Sequence, residues 1–231
     1  MATEKTAHWT ETLPAKLPDS PLPIAAEWLK QATERALQPN PNAMVLATTD
    51  ARGRPSARVV LCKDIVADPG YIVFYTNYRS RKGGELHENP HAAVVFHWDQ
   101  LHRQVRIEGR VVPMPDPAND AYFHSRAWQS RVGAWASQQS QPVASRETLF
   151  RAVAEQAQRF GIPYGGPGTP EPRNVQVDVP RPPDWGGFRL DADAVELWVE
   201  GEFRIHDRAR WTRTLVDGDA PGTWSATRLQ P

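Results

Sequence analysis

Residues 71–89, YIVFYTNYRSRKGGELHEN, place basic side chains where an apolar run gives way to a polar turn. Ser80 can cap a helix whose first turn holds Arg81, Lys82, Gly83 and Gly84. Free N–H groups at a helix start, beside a guanidinium and an ammonium, form a site for a phosphate. The plain alternative is a strand-turn-helix link with its charges in solvent. In RVVLCK, residues 58–63, Arg58 and Lys63 are an odd number of positions apart, so a regular strand turns them to opposite faces. They could serve two ligands, one ligand at a strand end, or only discourage edge aggregation. Tyr122, Arg126 and Ser130 recur at spacings of four and can converge on one side of a helix, as a second phosphate pocket or as a solvated face. Arg204, His206 and Arg208 alternate along a predicted strand, so an anion, an aromatic ring or nearby carboxylates must relieve their repulsion.

Several other chemistries are absent. No P-loop, dinucleotide fingerprint or G-x-S-x-G elbow occurs. His87 and His91 are spaced like a helical metal pair, but Pro90 interrupts the helix that would align them, and no metal is expected.

Positioning these groups calls mainly for strands. Residues 44–49 and 56–63 flank DARGRP, whose Asp50, Gly53 and Pro55 favour a turn, and read as a hairpin. Strands follow at 71–76, 91–98 and 103–112, the last alternating Val105, Ile107, Gly109 and Val111 with polar residues. Helices are predicted over 23–37, 116–126 and 145–160, with VGAWASQQS, 132–140, between the last two. Residues 161–184 read as a long Pro/Gly-rich loop, a functional lid or an insertion. Strand signals resume at 187–190, 195–199, 203–206, 210–215 and 224–229. Residues 1–22, with Pro14, Pro18 and Pro21, read as a flexible N-terminal arm preceding one domain over 23–231. Strands, then helices, then strands, without βαβ alternation, predict a mainly β, α+β fold on an antiparallel barrel.

The 231 residues suffice for one substantial core. With 27 basic and 27 acidic residues the formal net charge is +0, so the long-range field that draws proteins to nucleic acid or anionic membranes is missing. Any anion binding is therefore local. The one cysteine, Cys62, leaves no intrachain disulfide and suits a reducing compartment. The start, MATEKTAHWTET, lacks a signal-peptide core, and no apolar run approaches the roughly 20 residues that span a bilayer. A cytoplasmic protein is expected.

In order along the chain, RVVLCK, FYTNYRSRKG, RQVRIEG, YFHSR with Ser130, GAWASQQS, WGGF and RIHDR with a terminal RLQP resemble the pyridoxamine 5′-phosphate oxidase family. The resemblance runs from about residue 42 to the C-terminus. It implies a homodimeric, FMN-binding split β-barrel with FMN at the subunit interface. It also implies oxidation of pyridoxamine or pyridoxine 5′-phosphate to pyridoxal 5′-phosphate, with O2 reoxidising the flavin and yielding hydrogen peroxide. Carried onto matching positions, FMN contacts fall to Arg58, Val59, Val60, Leu61, Cys62, Lys63, Tyr75, Thr76, Arg81 and Lys82, and to Gln104, Gln139, Ser140, Trp198 and Arg208. The substrate phosphate falls to Lys63, Tyr122, Arg126 and Ser130. Arg204 and His206 lie against the substrate ring as the expected catalytic residues, Arg204 steering it and His206 hydrogen bonding or handling a proton. The family's N-terminal Arg and Tyr, which cover the substrate, have no match in residues 1–20, and the 161–184 loop exceeds the family norm. That loop stands in for the cover or lies outside the chemistry.

Phenazine-type flavin oxidases share this barrel, and a non-catalytic FMN- or pyridoxal-phosphate-binding carrier is the reading from a different class. The set Lys63, Tyr122, Arg126 and Ser130 favours a phosphorylated pyridine. A nucleic-acid-binding barrel is opposed by the zero net charge and by the lack of a continuous basic, aromatic-rich face.

Overall fold

Eight strands carry the β-branched and aromatic runs: β1 Ala43–Thr49, β2 Pro55–Val66, β3 Tyr71–Asn77, β4 His91–Trp98, β5 Arg103–Pro113, β6 Trp185–Val199, β7 Asp207–Thr212 and β8 Ser225–Leu229. The structure, a computed structural model, describes residues 11–170, 172, 177–215 and 221–231. The strands pair antiparallel in the order β3-β2-β1-β4-β5-β6-β7-β8, and an added β3–β6 pairing closes the first six into a barrel. Alternation supplies the interior: Met44, Leu46, Val94, Phe96, Val105, Ile107, Leu190 and Leu197 are all buried there. Each contributes about 1.5–3 kcal/mol on leaving water.

β6 is the element that organises the closure. Its first half, from Trp185 to Asp191, pairs with β3, and its second half, from Ala194 to Val199, pairs with β7. The changeover falls at a bulge, where Glu108 faces Ala194 and Gly109 faces Ala192, leaving Asp193 as the extra residue. Sequence periodicity divides this strand in two because Asp191 and Asp193 interrupt the apolar run. Both are outward-facing positions around the buried Ala192, so the strand continues through them.

Five helices complete the chain: α1 Leu22–Glu34, α2 Arg81–Glu88, α3 Asp116–Ser125, α4 Trp128–Ala136 and α5 Arg146–Arg159. Ser80 caps α2 by accepting the Gly83 N–H, and Ser145 caps α5 by accepting the Thr148 N–H. α1 packs Leu22, Ala25, Trp28 and Ala32 into the barrel core. A second apolar cluster of Phe123, Val132, Ala157, Ile162, Val179 and Trp185 joins α3, α4 and α5 to the start of β6. α4 is absent from the sequence reading, although Trp128, Val132 and Trp135 repeat at helical spacing.

Three expectations require correction. Residues 203–206 are not a strand: Glu202–Arg204 form a 3-10 turn, and Phe203 and Arg204 take left-handed φ of 53° and 65°. Arg204, His206 and Arg208 therefore do not share a strand face, and only Arg208 lies in β7. Tyr122, Arg126 and Ser130 do not ride one helix, because Arg126 and Ala127 are extended between α3 and α4. Residues 11–21 lie against the barrel, since Leu13 is 3% exposed, its N–H donates to Asp207, and Trp211 Nε1 donates to the Pro18 carbonyl. Residues 1–10 of the expected arm, and residues 171 and 173–176 of the 161–184 loop, fall outside the described residues. Arg181 ties the loop's end to Asp116 and Asp120 of α3.

Candidate functional site

The outer faces of β2 and β3, the α3–α4 junction and the first residue of β6 enclose a cavity of about 500 Å³. β2 contributes Val59, Val60, Leu61 and Lys63, and β3 contributes Tyr75, Thr76 and Asn77. Arg126, Ala127 and Ser130 enter from the helix junction, beside Tyr122 of α3, Lys82 of α2, Gln139 and Trp185. Asn77, Ala127 and Trp185 were not singled out in the sequence. Trp185, the first residue of β6, pairs with Asn77 of β3, and only the string WGGF pointed to it.

One end of the cavity is built on the turn between β3 and α2. Lys82 is buried, and its Nζ donates to Thr76 Oγ1 at 2.8 Å, Ser80 Oγ at 3.0 Å and Gln139 Oε1 at 2.6 Å. Burial, helped by the Arg58 charge and opposed by Glu85, brings the Lys82 ammonium down to about 8. Gly83 lets the helix start approach the preceding turn, since a Cβ there would lie 2.1 Å from the Tyr78 carbonyl oxygen. Behind Lys82, Glu85 gathers the remaining cations. It accepts from Arg58 Nη2 at 3.1 Å and Arg81 Nε at 2.9 Å, and from the hydroxyls of Thr48 and Ser56. Burial alone would raise this carboxyl, but the hydrogen bonds from Ser56, Thr48 and Arg81 and the charge of Arg58 outweigh it and hold it at about 2. Arg58 and Arg81 therefore stand together on one carboxylate that sequence reasoning missed. The Arg81–Glu85 spacing of four was its only legible signal.

The other end is aromatic and cationic. Tyr75 and Tyr122 stack at 3.9 Å, and Trp185 lies nearly parallel to both, 5.3 Å from Tyr75 and 6.2 Å from Tyr122. The Arg126 guanidinium covers the Trp185 face at 4.6 Å, and Lys63 Nζ lies 5.7 Å from the Tyr122 ring. Arg126 Nη1 is buried and has no hydrogen-bond partner among the described residues. Desolvation pushes the Arg126 guanidinium below its ordinary value, with Tyr122 opposing. A buried donor left unmet costs about 1–3 kcal/mol, so an anion reaching it gains that hydrogen bond.

The remaining expected residues form a separate group or face elsewhere. Gln104 of β5, Trp198 of β6 and Arg208 of β7 are successive cross-strand neighbours, and His206 packs on Trp198 with ring centroids 4.7 Å apart. Arg208 donates twice to the buried Glu196, at 2.9 and 3.1 Å. Arg204 is exposed on the adjoining turn, between Phe203 at 90% and Ile205 at 71% exposure. None of these five lines the cavity within the same chain. The Cys62 thiol is in the barrel core, where burial pushes it up to about 12, and Cys62 is not part of the cavity lining. Ser140 follows Gln139 in a left-handed conformation, φ 73°, outside the lining. Among the described residues no three His, Cys, Asp or Glu gather to hold a metal, and no helix is long and apolar enough to cross a membrane.

A family profile described as pyridoxamine 5′-phosphate oxidase matches residues 29–160, and one described as the pyridoxine 5′-phosphate oxidase C-terminal dimerisation region matches residues 185–231. The pyridoxine/pyridoxamine 5′-phosphate oxidase of Maricaulis maris is 47% identical over 214 residues, 92% of this chain and 86% of that one. That of Paraburkholderia phymatum is 48% identical over 204 residues, 88% of this chain and 85% of that one. Among solved structures, PhzG from Burkholderia lata, in complex with tetrahydrophenazine-1-carboxylic acid, matches with a TM-score of 0.77 at 29% identity, over 96% of this chain and 100% of that one. A pyridoxamine 5′-phosphate oxidase-related, FMN binding protein from Nostoc punctiforme shares the fold, with a TM-score of 0.64 at 21% identity over 92% and 98% of the two chains. With its split barrel and both matched regions, the chain belongs to the pyridoxamine 5′-phosphate oxidase family.

Proposed function

We propose that this chain is an FMN-dependent oxidase that converts pyridoxamine or pyridoxine 5′-phosphate to pyridoxal 5′-phosphate, with O2 as electron acceptor and hydrogen peroxide as product, acting as a cytoplasmic homodimer. The observation that carries this reading is the buried, unmet Arg126 Nη1 in a cavity that Lys82 also lines. Two differently partnered cationic groups, Lys82 with its hydroxyl and amide neighbours and Lys63 with Arg126 on the aromatic rings, fit two phosphates, one on the cofactor and one on the substrate. At the cofactor end the chain offers Lys82, with Thr76 and Gln139 beside it and Arg58 and Arg81 behind. At the substrate end it offers Lys63, Tyr122, Arg126 and Ser130. FMN, when bound, supplies the two-electron acceptor and the reaction with O2.

The chain's own residues bind and orient. Each charge-assisted hydrogen bond to a phosphate contributes about 1.5–3 kcal/mol, enough in sum to anchor the substrate by its remote end and leave its ring to be aligned. Arg204 and His206 steer that ring, and a second copy brings them to the cavity, because they lie outside it within one chain. Exposed Val59, 65% accessible, and Phe203 are apolar surface that such a copy would cover.

Arg126→Ala is expected to raise the KM for pyridoxamine 5′-phosphate about tenfold with a smaller change in kcat, because the contact is remote from the reacting carbon. An unaltered KM in steady-state peroxide assays contradicts that pocket. Arg204→Ala is expected to slow anaerobic flavin reduction in stopped flow while FMN stays bound, and unchanged reduction rejects the steering role.

A phenazine-type activity is the second reading, favoured by the likeness to PhzG over nearly the whole chain. Turnover of a tricyclic carboxylate in preference to the phosphorylated pyridine would support it. Peroxide release on adding pyridoxamine 5′-phosphate separates either oxidase from a carrier.

A further inference from the structure

The turn that bears Arg204 and His206 is closed by a backbone-to-side-chain hydrogen bond with a chemical consequence. The Gly201 N–H donates to Nδ1 of His206 at 3.2 Å. A backbone N–H can only donate, so Nδ1 must present its lone pair, and the proton of the neutral imidazole resides on Nε2. The geometry around this bond is fixed from several sides. The ring packs on Trp198, with planes inclined at 42°. The Ile205 N–H donates to the Glu202 carbonyl at 2.8 Å, and Phe203 and Arg204 adopt left-handed φ. Gly201 admits no side chain, because a Cβ there would sit 1.9 Å from the Ile205 carbonyl oxygen. Of the charged side chains near it in sequence, Asp207 pairs with Arg228, Arg208 with Glu196 and Glu200 with His102, while Glu202 and Arg204 are exposed.

We infer that Gly201 is a positioning residue that locks His206 in the tautomer protonated on Nε2, so that the ring serves the substrate as a hydrogen-bond donor and not as a proton acceptor. This rests on the proposed oxidase function and narrows it. Donating a hydrogen bond and taking a proton require opposite states of Nε2. With Nδ1 occupied, Nε2–H is the one polar group the neutral ring can turn toward an acceptor atom on the bound pyridine.

Two measurements test the lock. In long-range ¹H–¹⁵N correlation spectra of the ¹⁵N-histidine-labelled protein without substrate, recorded at alkaline pH, the His206 resonances, assigned by their loss in His206→Asn, should show an unprotonated Nδ1 and a protonated Nε2. The opposite assignment overturns the inference whether or not the protein oxidises anything. In stopped-flow flavin reduction, His206→Gln, whose amide N–H can occupy the Nε2 position, should react at least severalfold faster than His206→Asn, whose amide reaches only the Nδ1 position. Equal rates in the two variants, with a wild-type protein that is reduced by pyridoxamine 5′-phosphate, overturn the donor role. A wild-type protein that is not reduced at all refutes the oxidase reading, and the spectra still decide the tautomer.

Discussion

Lys82→Met is expected to weaken FMN binding about tenfold to a hundredfold, measured by quenching of flavin fluorescence on titration into the apoprotein. The ammonium is buried and held by Thr76, Ser80 and Gln139 at one end of the cavity. Because those three contacts use every N–H of the ammonium, a phosphate takes one of them over from a neutral acceptor, and one charge-assisted hydrogen bond of about 1.5–3 kcal/mol corresponds to that range. Methionine fills the same volume, and the two hydroxyls left behind can rotate to other partners, so the fold should survive the change. The wild-type affinity should also depend on pH in a specific direction. With Lys82 brought down to about 8, the free protein loses the ammonium as pH rises through that value. A bound phosphate favours the charged form, so binding takes up a proton above pH 8 and affinity falls there, by up to about tenfold per pH unit. Below pH 8 the ammonium is already present and this dependence disappears. Lys82→Met should lack the decline, and an affinity that stays flat across pH 8 in the wild type argues against a phosphate at this amine.

Glu85→Ala is expected to destabilise the protein by about 1–3 kcal/mol in urea or guanidinium unfolding, the cost of leaving partly buried donors without their acceptor. The carboxylate is 5% exposed and holds Arg58 and Arg81 together, with Thr48 and Ser56 completing its contacts. Without it, two guanidinium groups repel beside Lys82. Glu85→Gln keeps an acceptor and should cost less. The pH dependence has a definite sign, because the folded carboxyl is depressed from 4.5 to about 2. Its contribution is fully present above pH 4.5 and is lost as pH falls through about 2, amounting to roughly 3 kcal/mol over that window. Glu85→Gln should flatten the same window. An alanine variant as stable as the wild type would mean that the three charges do not act as a unit.

How much of this was legible in the sequence depended on how locally each feature is encoded. The hairpin of β1 and β2 was readable because Asp50, Gly53 and Pro55 mark a turn between alternating runs, and β5 was readable from its strict alternation. The Ser80 cap and the cations after it were equally local. The turn at 202–204 was not, since its left-handed positions are Phe203 and Arg204, residues that do not ordinarily announce positive φ. Tyr122, Arg126 and Ser130 do line one cavity, although the break at Arg126 and Ala127 means that helical spacing is not what unites them. The role of Glu85 depends on strand register: Thr48 opposite Ser56 and Leu46 opposite Arg58 bring those side chains to α2, a relation that no window of the sequence contains.

The most direct test is the visible spectrum of the purified protein reconstituted with FMN and mixed with pyridoxamine 5′-phosphate in the absence of oxygen. The expected result is a bound-flavin absorbance that bleaches and then returns on admission of air, with hydrogen peroxide formed in step with pyridoxal 5′-phosphate. A protein that retains FMN yet keeps its full absorbance under excess pyridoxamine 5′-phosphate would contradict it.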